Sequence, residues 1–503
     1  MRRAALLLLA ALALTRCARA PVAREGADLD AEVAVVRDAL AGCPLALPDA
    51  ALRDLAVYER CRLPASVVAL VRNDYADGAR GPERWEALRA YAGAVPRATF
   101  EAQLARVVDP AGVLKSWIAV DARANALLPD PVLAPRLAIP FAPGGGAGFA
   151  GDARPGALVS PPRPDLPYRP VRRAELRGRA TSARPLAGLR VAIDPGHAGG
   201  PFGAFEDRRI AWRPAPGAAE VVVQEGDLSL RTALELRAKL AARGAEVLLT
   251  RDAPLFPGAP DLAALRPAAE ALLGHIALDP AYAALERRLA PDDRLRLHAA
   301  LALHAVKKVQ RFASLLARAE GAARAGADLL LSIHFNAGTQ VGAPVAQELV
   351  AMVAGNVGAE RAYDPSHRAR ALRSALDVEG LDASTHLAAL CLAGASRALG
   401  VAVATRNHYP DHLPLVFADG TTRGVDAWDG ALLRYADMPA ALVEGPYMTD
   451  PEELGRLAAA LAAPPGTEGT RTERFAEGLA RGVEEWARRW REGDANPFGA
   501  EAP

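Results

Sequence analysis

The sequence predicts an α/β fold in which a mixed sheet is flanked by helices, preceded by a smaller all-α domain and a linker rich in proline and glycine. Two observations predict the sheet. Short apolar segments alternate with helical patterns after residue 188, as strands and helices do in α/β proteins. In addition, His197, His334 and Glu444 each follow or end a predicted strand, which is where such sheets gather their functional groups.

The composition excludes several classes of protein. A chain of 503 residues suggests roughly three domains at about 150 residues each. Its formal net charge of +1 argues against a nucleic-acid binder and a polybasic membrane-surface protein. Four cysteines are too few for a disulfide scaffold or a Cys-rich metal cluster. Beyond the N-terminus, no apolar run reaches the ~20 residues that a transmembrane helix needs.

Residues 1–20 have the pattern of a secretory signal. Two arginines precede an apolar stretch over 4–14, and residues 18–20 form a small-x-small cleavage site. The segment 14–17 also resembles a lipoprotein box that would acylate Cys17, although the arginine before that cysteine fits the box poorly. An uncleaved anchor is a third reading. All three export the protein and predict the periplasm or cell envelope as its location.

Two further regions precede the α/β domain. Apolar residues recur at three-to-four spacing over 27–128 and predict a helical N-terminal domain without a catalytic constellation. In an exported protein its Cys43 and Cys61 either pair or remain two separate buried thiols, and the sequence leaves both readings open. Residues 129–187, rich in proline, glycine, alanine and arginine, predict an extended linker.

The α/β domain is predicted over 188–490, followed by a tail over 491–503. Its strands are predicted at 189–193, 245–250, 328–333 and 440–443, and its first helix at 227–243 with a glycine cap at 244. Three stretches interrupt this pattern and are interpreted as insertions on a smaller core, at about 254–314, 355–383 and 405–422. The first is mostly helical in pattern, and the other two are polar and irregular.

Two histidines mark a candidate metal site. His197 follows the glycine turn after the first strand, and His334 lies at the end of another strand. Imidazole is a good zinc ligand, and catalytic zinc usually takes three protein ligands plus a water. Glu225, at the head of the first helix, is the best candidate for the third ligand, with Glu220 as a rival. Spacing alone leaves a second interpretation open, in which both histidines are ordinary surface or capping residues.

Five segments, in this order, resemble the zinc-dependent N-acetylmuramoyl-L-alanine amidases, the family that cuts cell-wall peptidoglycan. They are DPGHAGG at 194–200, EGDLSL at 225–230, LLTRD at 248–252, ADLLLSIHFNA at 327–337 and MPAALVEGPYMTD at 438–450. The resemblance covers roughly 189–459 without the insertions. It implies Zn²⁺ ligation by His197, Glu225 and His334 and a catalytic carboxylate at Glu444.

The resemblance implies a hydrolase that cuts the amide bond between N-acetylmuramic acid and the L-alanine of the stem peptide. Zinc would activate a water, and Glu444 would transfer its proton to the leaving amine. Two alternatives remain: a catalytically silent peptidoglycan-binding or regulatory protein, and a zinc amidase or peptidase acting on a different peptide. Some relatives carry inserted helices that a partner protein withdraws from the zinc. The insertion at 254–314 therefore suggests either similar gating by an activator or an outlying elaboration.

The sequence departs from the family pattern at several positions. Ala198 stands where the family usually has glycine, and the stretch between the first histidine and Glu225 is longer than usual. Phe335 replaces a small residue, and Pro446-Tyr447 replaces the usual Gly-Phe. Arg318 matches a family arginine and is interpreted as structural. These departures leave the ligands in place and bear on substrate detail.

Overall fold

The computed structural model describes residues 88–115, 117–120, 124–127, 137–142, 181, 183–199, 206, 208–254, 314–338, 340–358, 365–405, 409, 412–417 and 420–492. Apart from Glu206 and Ser314, these residues belong to one compact unit made of 79–203, 208–257 and 315–503. No helix within them has the length and apolar character of a membrane span. The predicted signal, the pair Cys43 and Cys61, nearly all of the 254–314 insertion and the 491–503 tail from 493 onward lie outside the described residues.

The first described segment is part helix and part sheet. A 3₁₀ turn (Leu88–Tyr91) is followed by helix α1 (Arg97–Gln103), a π-helical turn (Leu104–Val108), and strands β1 (Ile118–Val120), β2 (Ala124–Leu127) and β3 (Leu137–Pro140). The three strands form an antiparallel sheet in the order β1-β2-β3.

Two sequence predictions are therefore wrong in this segment. The all-α domain over 27–128 includes β1 and β2, and the linker over 129–187 includes β3. Proline and glycine content predicts a linker here, but residues 137–140 form a strand because β2 supplies their backbone hydrogen bonds. Ile139 of β3 is buried in one cluster with Phe100 and Leu372, so the described residues of 88–141 also pack against the helix over 365–376.

The frame of the molecule is an eight-stranded mixed sheet, made of β4 (Arg190–Pro195), β7 (Glu246–Leu249), β8 (Leu329–Phe335), β9 (Glu348–Ala354), β10 (Ala402–Val403), β11 (Leu413–Pro414), β12 (Val425–Trp428) and β13 (Ala440–Gly445). The strand order is β11-β12-β9-β13-β8-β4-β7, with β10 beside β9. A separate hairpin pairs β5 (Arg209–Trp212) with β6 (Val221–Gln224). The predicted mixed sheet is confirmed.

The neighbouring strands β7, β4, β8 and β13 run parallel, with β7 at the edge of the sheet, and β13 pairs with β9 in the antiparallel sense. Strands buried on both faces read as continuous apolar runs, and β8 and β13 have this character. Each has one residue that is not fully buried, His334 in β8 and Glu444 in β13, and these two are partners in register. Both strands extend two residues beyond their predicted ends.

The described residues form six further helices with defined ends: α2 (Glu225–Ala242), α3 (Pro365–Leu376), α4 (Val378–Leu399), α5 (Ala431–Tyr435), α6 (Pro451–Ala462) and α7 (Arg471–Glu492). Residues 314–324 are also helical. Helix α2 confirms the predicted first helix, beginning two residues earlier and ending before Gly244, whose φ of 98° suits glycine. Helices α2, α4 and α7 share one core with the sheet.

The prediction of an irregular insertion over 355–383 is wrong, because α3 and the start of α4 occupy most of it. One of the polar residues that suggested a loop caps a helix instead: the Asp377 side chain accepts a hydrogen bond from the Gly380 N–H. Leu381 and Ala383 then enter the main core. Within 405–422, the described residues include strand β11.

Helices α4 and α7 cross at glycines. A Cβ added at Gly394 would lie 2.1 Å from the Gly478 carbonyl oxygen, and one at Gly482 would lie 2.5 Å from the Cys391 Cα. Both contacts are with backbone atoms, which have little room to move away. The two helices can therefore approach this closely only because these residues are glycines, which have no side chain.

We expect Gly394→Ala to destabilise the fold by about 1–3 kcal/mol or more, because the methyl group forces the two helices apart. Gly455→Ala in α6 is the matched control, since nothing lies within 4 Å of its added Cβ. The control should be neutral or stabilising by up to about 1 kcal/mol from helix propensity. Urea unfolding of the two variants beside the parent checks this, and equal stabilities would contradict the close crossing.

Candidate metal centre

Three side chains from three elements converge at the carboxyl ends of the central strands. His197 follows β4, Glu225 begins α2, and His334 lies near the end of β8. One ligand atom from each lies within 4.8 Å of those from the other two. The His334 Nδ1 is 2.9 Å from Glu225 Oε1, and the His197 Nε2 is 3.5 Å from Glu225 Oε2. The rival Glu220 lies beside Arg209 instead, at 3.8 Å.

The backbone around His197 brings these groups together. The Gly196 N–H donates to the Ile333 carbonyl at 2.8 Å, which fixes the turn against β8. A Cβ at Gly196 would lie 2.5 Å from the His334 ring, so the two imidazoles approach only because this residue is glycine. His197 itself has a φ of 54°, an uncommon conformation for a residue with a side chain. The surrounding contacts therefore hold His197 in a backbone conformation that its sequence alone would not favour.

Arg251 ties this turn to the start of α2. Its side chain is buried, and its guanidinium donates to the carbonyls of Pro195, Gly196 and Gly226 at 3.2, 3.1 and 2.6 Å. Arginine suits this position because its planar group offers five donors in a fixed arrangement. The sequence contained this residue within LLTRD, but nothing local to that segment indicated which carbonyls it would bind.

Asp194 is a second buried polar residue that fixes the chain near the centre through hydrogen bonds. Its Oδ1 accepts hydrogen bonds from Thr250 Oγ1 and Arg318 Nη1, both at 2.6 Å, and its Oδ2 accepts one from Ser332 Oγ at 2.7 Å. The interpretation of Arg318 as structural agrees with this buried ion pair. Asp194 thus joins three neighbouring segments just before the turn that carries His197.

The two glutamates have opposite electrostatic environments. Burial works to raise the pKa of Glu225, but the charge of His197, the hydrogen bond from His334 and the nearby Arg208 together lower it to about 2. Desolvation raises the pKa of Glu444 to about 7; the charge of His334 opposes that shift, while the charge of Glu225 adds to it. The Glu444 Oε2 is buried and has no hydrogen-bond partner among the described residues. Glu225 is thus an anion suited to ligation, and Glu444 is a carboxyl suited to proton transfer.

Sequence reasoning did not single out two polar residues, Asn336 and Arg208. Asn336 follows His334 by two positions, and its Oδ1 accepts from the Tyr409 hydroxyl at 2.7 Å and from the Ala337 N–H at 2.9 Å. The alternation of side chains along a strand is the one signal that links Asn336 to His334. Arg208 lies with its Nε 3.6 Å from Glu225 Oε2. No sequence pattern around Arg208 indicated this contact.

Comparison with known proteins gives the following similarities. The family model described as N-acetylmuramoyl-L-alanine amidase matches residues 191–461, more than half of the chain. None of the curated proteins gave a match.

Three solved structures illustrate the structural similarity. AmiC2 of Nostoc punctiforme is 20% identical, covers 60% of this chain and 99% of its own, with a TM-score of 0.31. Ami1 from Mycobacterium smegmatis is 16% identical, covering 60% and 98%, with a TM-score of 0.32. The CwlD amidase from Clostridioides difficile, solved in complex with the GerS lipoprotein, is 15% identical, covering 59% and 98%, with a TM-score of 0.31.

We expect Gly196→Ala to weaken divalent-metal binding by roughly 10–100-fold, because the added methyl group displaces the His334 ring. Gly321→Ala is the control: this glycine lies in the helical residues 314–324, with nothing within 4 Å of an added Cβ. Competition with a chromophoric chelator measures the affinity, and circular dichroism checks the fold. Unchanged affinity in a folded Gly196→Ala protein would contradict the described packing.

The raised pKa of Glu444 predicts a pH dependence of stability in the metal-stripped protein. Folding favours the protonated carboxyl, so its stabilising effect is complete below pH 4.5 and is lost as pH rises through about 7. Between pH 5 and 8 the parent should lose on the order of 2 kcal/mol more than Glu444→Gln. Urea unfolding at several pH values tests this, and parallel pH profiles would show that Glu444 titrates normally.

Proposed function

This chain belongs to the N-acetylmuramoyl-L-alanine amidase family, and from that premise we propose that it is a zinc-dependent hydrolase of the peptidoglycan stem. The bond cut is the amide between N-acetylmuramic acid and L-alanine. The observation that carries the proposal is the convergence of His197, Glu225 and His334 beside Glu444, all within the matched residues.

His197, Glu225 and His334 would hold the Zn²⁺. Two imidazoles and one carboxylate are a ligand set of catalytic zinc, and all three are largely buried here. The low pKa of Glu225 keeps it ionised at neutral and mildly acidic pH, as a ligand must be. When bound, the ion supplies a hydroxide equivalent near neutral pH and polarises the amide carbonyl.

Glu444 would move the proton. It lies opposite His334 in register, so its carboxyl is held next to the ligands by two parallel strands. Because its Oε2 has no hydrogen-bond partner among the described residues, that oxygen is available to accept a proton from the attacking water. The same carboxyl then donates the proton to the leaving nitrogen. Without a bound ion, burial raises the pKa of Glu444 to about 7, which favours a carboxyl that can both accept and donate a proton.

The proposal also covers the cellular location of the protein and its partners. The signal pattern over 1–20 supports reaction in the periplasm or cell envelope, where peptidoglycan is found, with lipid attachment through Cys17 as one form of export. The 254–314 insertion is proposed as a segment that an activator protein acts upon. Excision of 254–311 with a short Gly/Ser bridge tests this: a folded, zinc-loaded deletion no faster than the parent would contradict it.

The assignment of roles predicts different results for Glu444→Gln and His334→Ala. We expect Glu444→Gln to keep bound zinc and lose activity by about 10²–10⁴-fold, because glutamine cannot accept a proton. His334→Ala should lose both metal and activity. Zinc content by mass spectrometry and release of muropeptides from purified wall are measured side by side.

Each outcome separates one alternative. Loss of zinc in a folded Glu444→Gln protein would make Glu444 a ligand, and near-parental turnover would place the general base elsewhere. A zinc-loaded parent that binds wall without releasing product would be a silent binding protein. Mass spectrometry of the products identifies the bond, and cleavage elsewhere in the peptide would assign a different specificity.

A further inference from the structure

The chain between His197 and Glu225 carries the β5–β6 hairpin, and this hairpin places an arginine at the metal centre. Arg208 immediately precedes β5, and its carbonyl accepts a hydrogen bond from the Glu225 N–H at 2.9 Å. Arg209 and Gln224 are partners in the hairpin, so Arg208 lies opposite Glu225. The position of Arg208 is therefore fixed by the same backbone that begins α2.

The Arg208 side chain has one ionic contact among the described residues, with its Nε 3.6 Å from Glu225 Oε2. That Nε is buried, and no described residue accepts a hydrogen bond from it. The side chain as a whole is nevertheless 37% exposed, so part of it remains accessible while its Nε is buried. A cation in this position, buried at its Nε and partly exposed, can meet an incoming anion.

The charges at the centre favour an anionic partner. A divalent ion held by His197, Glu225 and His334 would use the negative charge that Arg208 now faces. With Glu444 ionised, the centre would then carry one uncompensated positive charge. Guanidinium groups bind carboxylates through paired, charge-assisted hydrogen bonds, and partial burial strengthens them.

We propose that Arg208 binds the stem-peptide carboxylate nearest the scissile amide. It thereby selects peptides in which this carboxylate is free over peptides in which it is amidated. The inference rests on the proposed function and specifies its substrate. Arg208 is a specificity-determining residue in this scheme, and proton transfer stays with Glu444.

The test uses two muropeptides that differ only in whether that carboxylate is free or amidated. For Arg208→Gln we expect kcat/KM to fall about 10–100-fold on the free carboxylate, mainly through KM, as for a lost charge-assisted hydrogen bond. On the amidated peptide the change should stay within about 3-fold, and Arg208→Lys should recover part of the loss because it restores the charge. Arg209→Gln is the matched control, since Arg209 faces Glu220 at 3.8 Å.

A binding measurement separates this inference from catalysis. In zinc-loaded Glu444→Gln protein, adding Arg208→Gln should weaken binding of the free-carboxylate muropeptide by a similar factor, with zinc content unchanged. Equal losses on both muropeptides, loss of zinc, or no loss at all would overturn the role of Arg208. If the zinc-loaded parent cleaves neither muropeptide while Glu444→Gln still binds the free carboxylate through Arg208, the proposed reaction fails and the recognition stands.

Discussion

The carboxylate of Glu225 lies between two imidazoles, and its burial makes this contact the constraint on which the centre depends. A carboxylate that is ionised and shielded from water is stable only if positive charges or hydrogen-bond donors lie close to it. Here it has His197, His334 and Arg208, together with the Phe335 N–H, which donates to it at 3.2 Å. Removing any of these partners leaves a buried charge less compensated, so each partner's position is tied to the others.

The rest of the fold holds those partners still. Parallel strands set His334 and Glu444 in register, and the antiparallel β13–β9 pair continues the sheet beyond them. Arg251 and Asp194 then fix the turn that presents His197, using buried hydrogen bonds instead of apolar packing. Rigid secondary structure places catalytic groups more accurately than loops do. The unusual φ of His197 is maintained by this surrounding network.

Glu225 and Glu444 have the same side chain and different chemistry, because their surroundings differ. Positive neighbours hold the pKa of the first at about 2, and desolvation raises that of the second to about 7. This difference in pKa suits the roles proposed above, in which Glu225 is a metal ligand and Glu444 transfers a proton. Arg208 lies beside the first of them, with its Nε facing Glu225 and its side chain partly exposed.

The sequence by itself predicted strands β4, β7, β8 and β13 and helix α2, because local periodicity encodes them, and short motifs marked the two histidines and two glutamates as candidates. It did not predict β9, which pairs with β13 in the middle of the sheet. It misassigned β1 to β3 and the helices over 365–383, where composition suggested helix, linker or loop. Only the tertiary structure decided that Glu225 meets His334 across 109 residues, that Arg208 lies beside Glu225, and that Asn336 accepts a hydrogen bond from Tyr409. Those contacts follow from strand register and from the path of the chain between elements, and no local pattern records either.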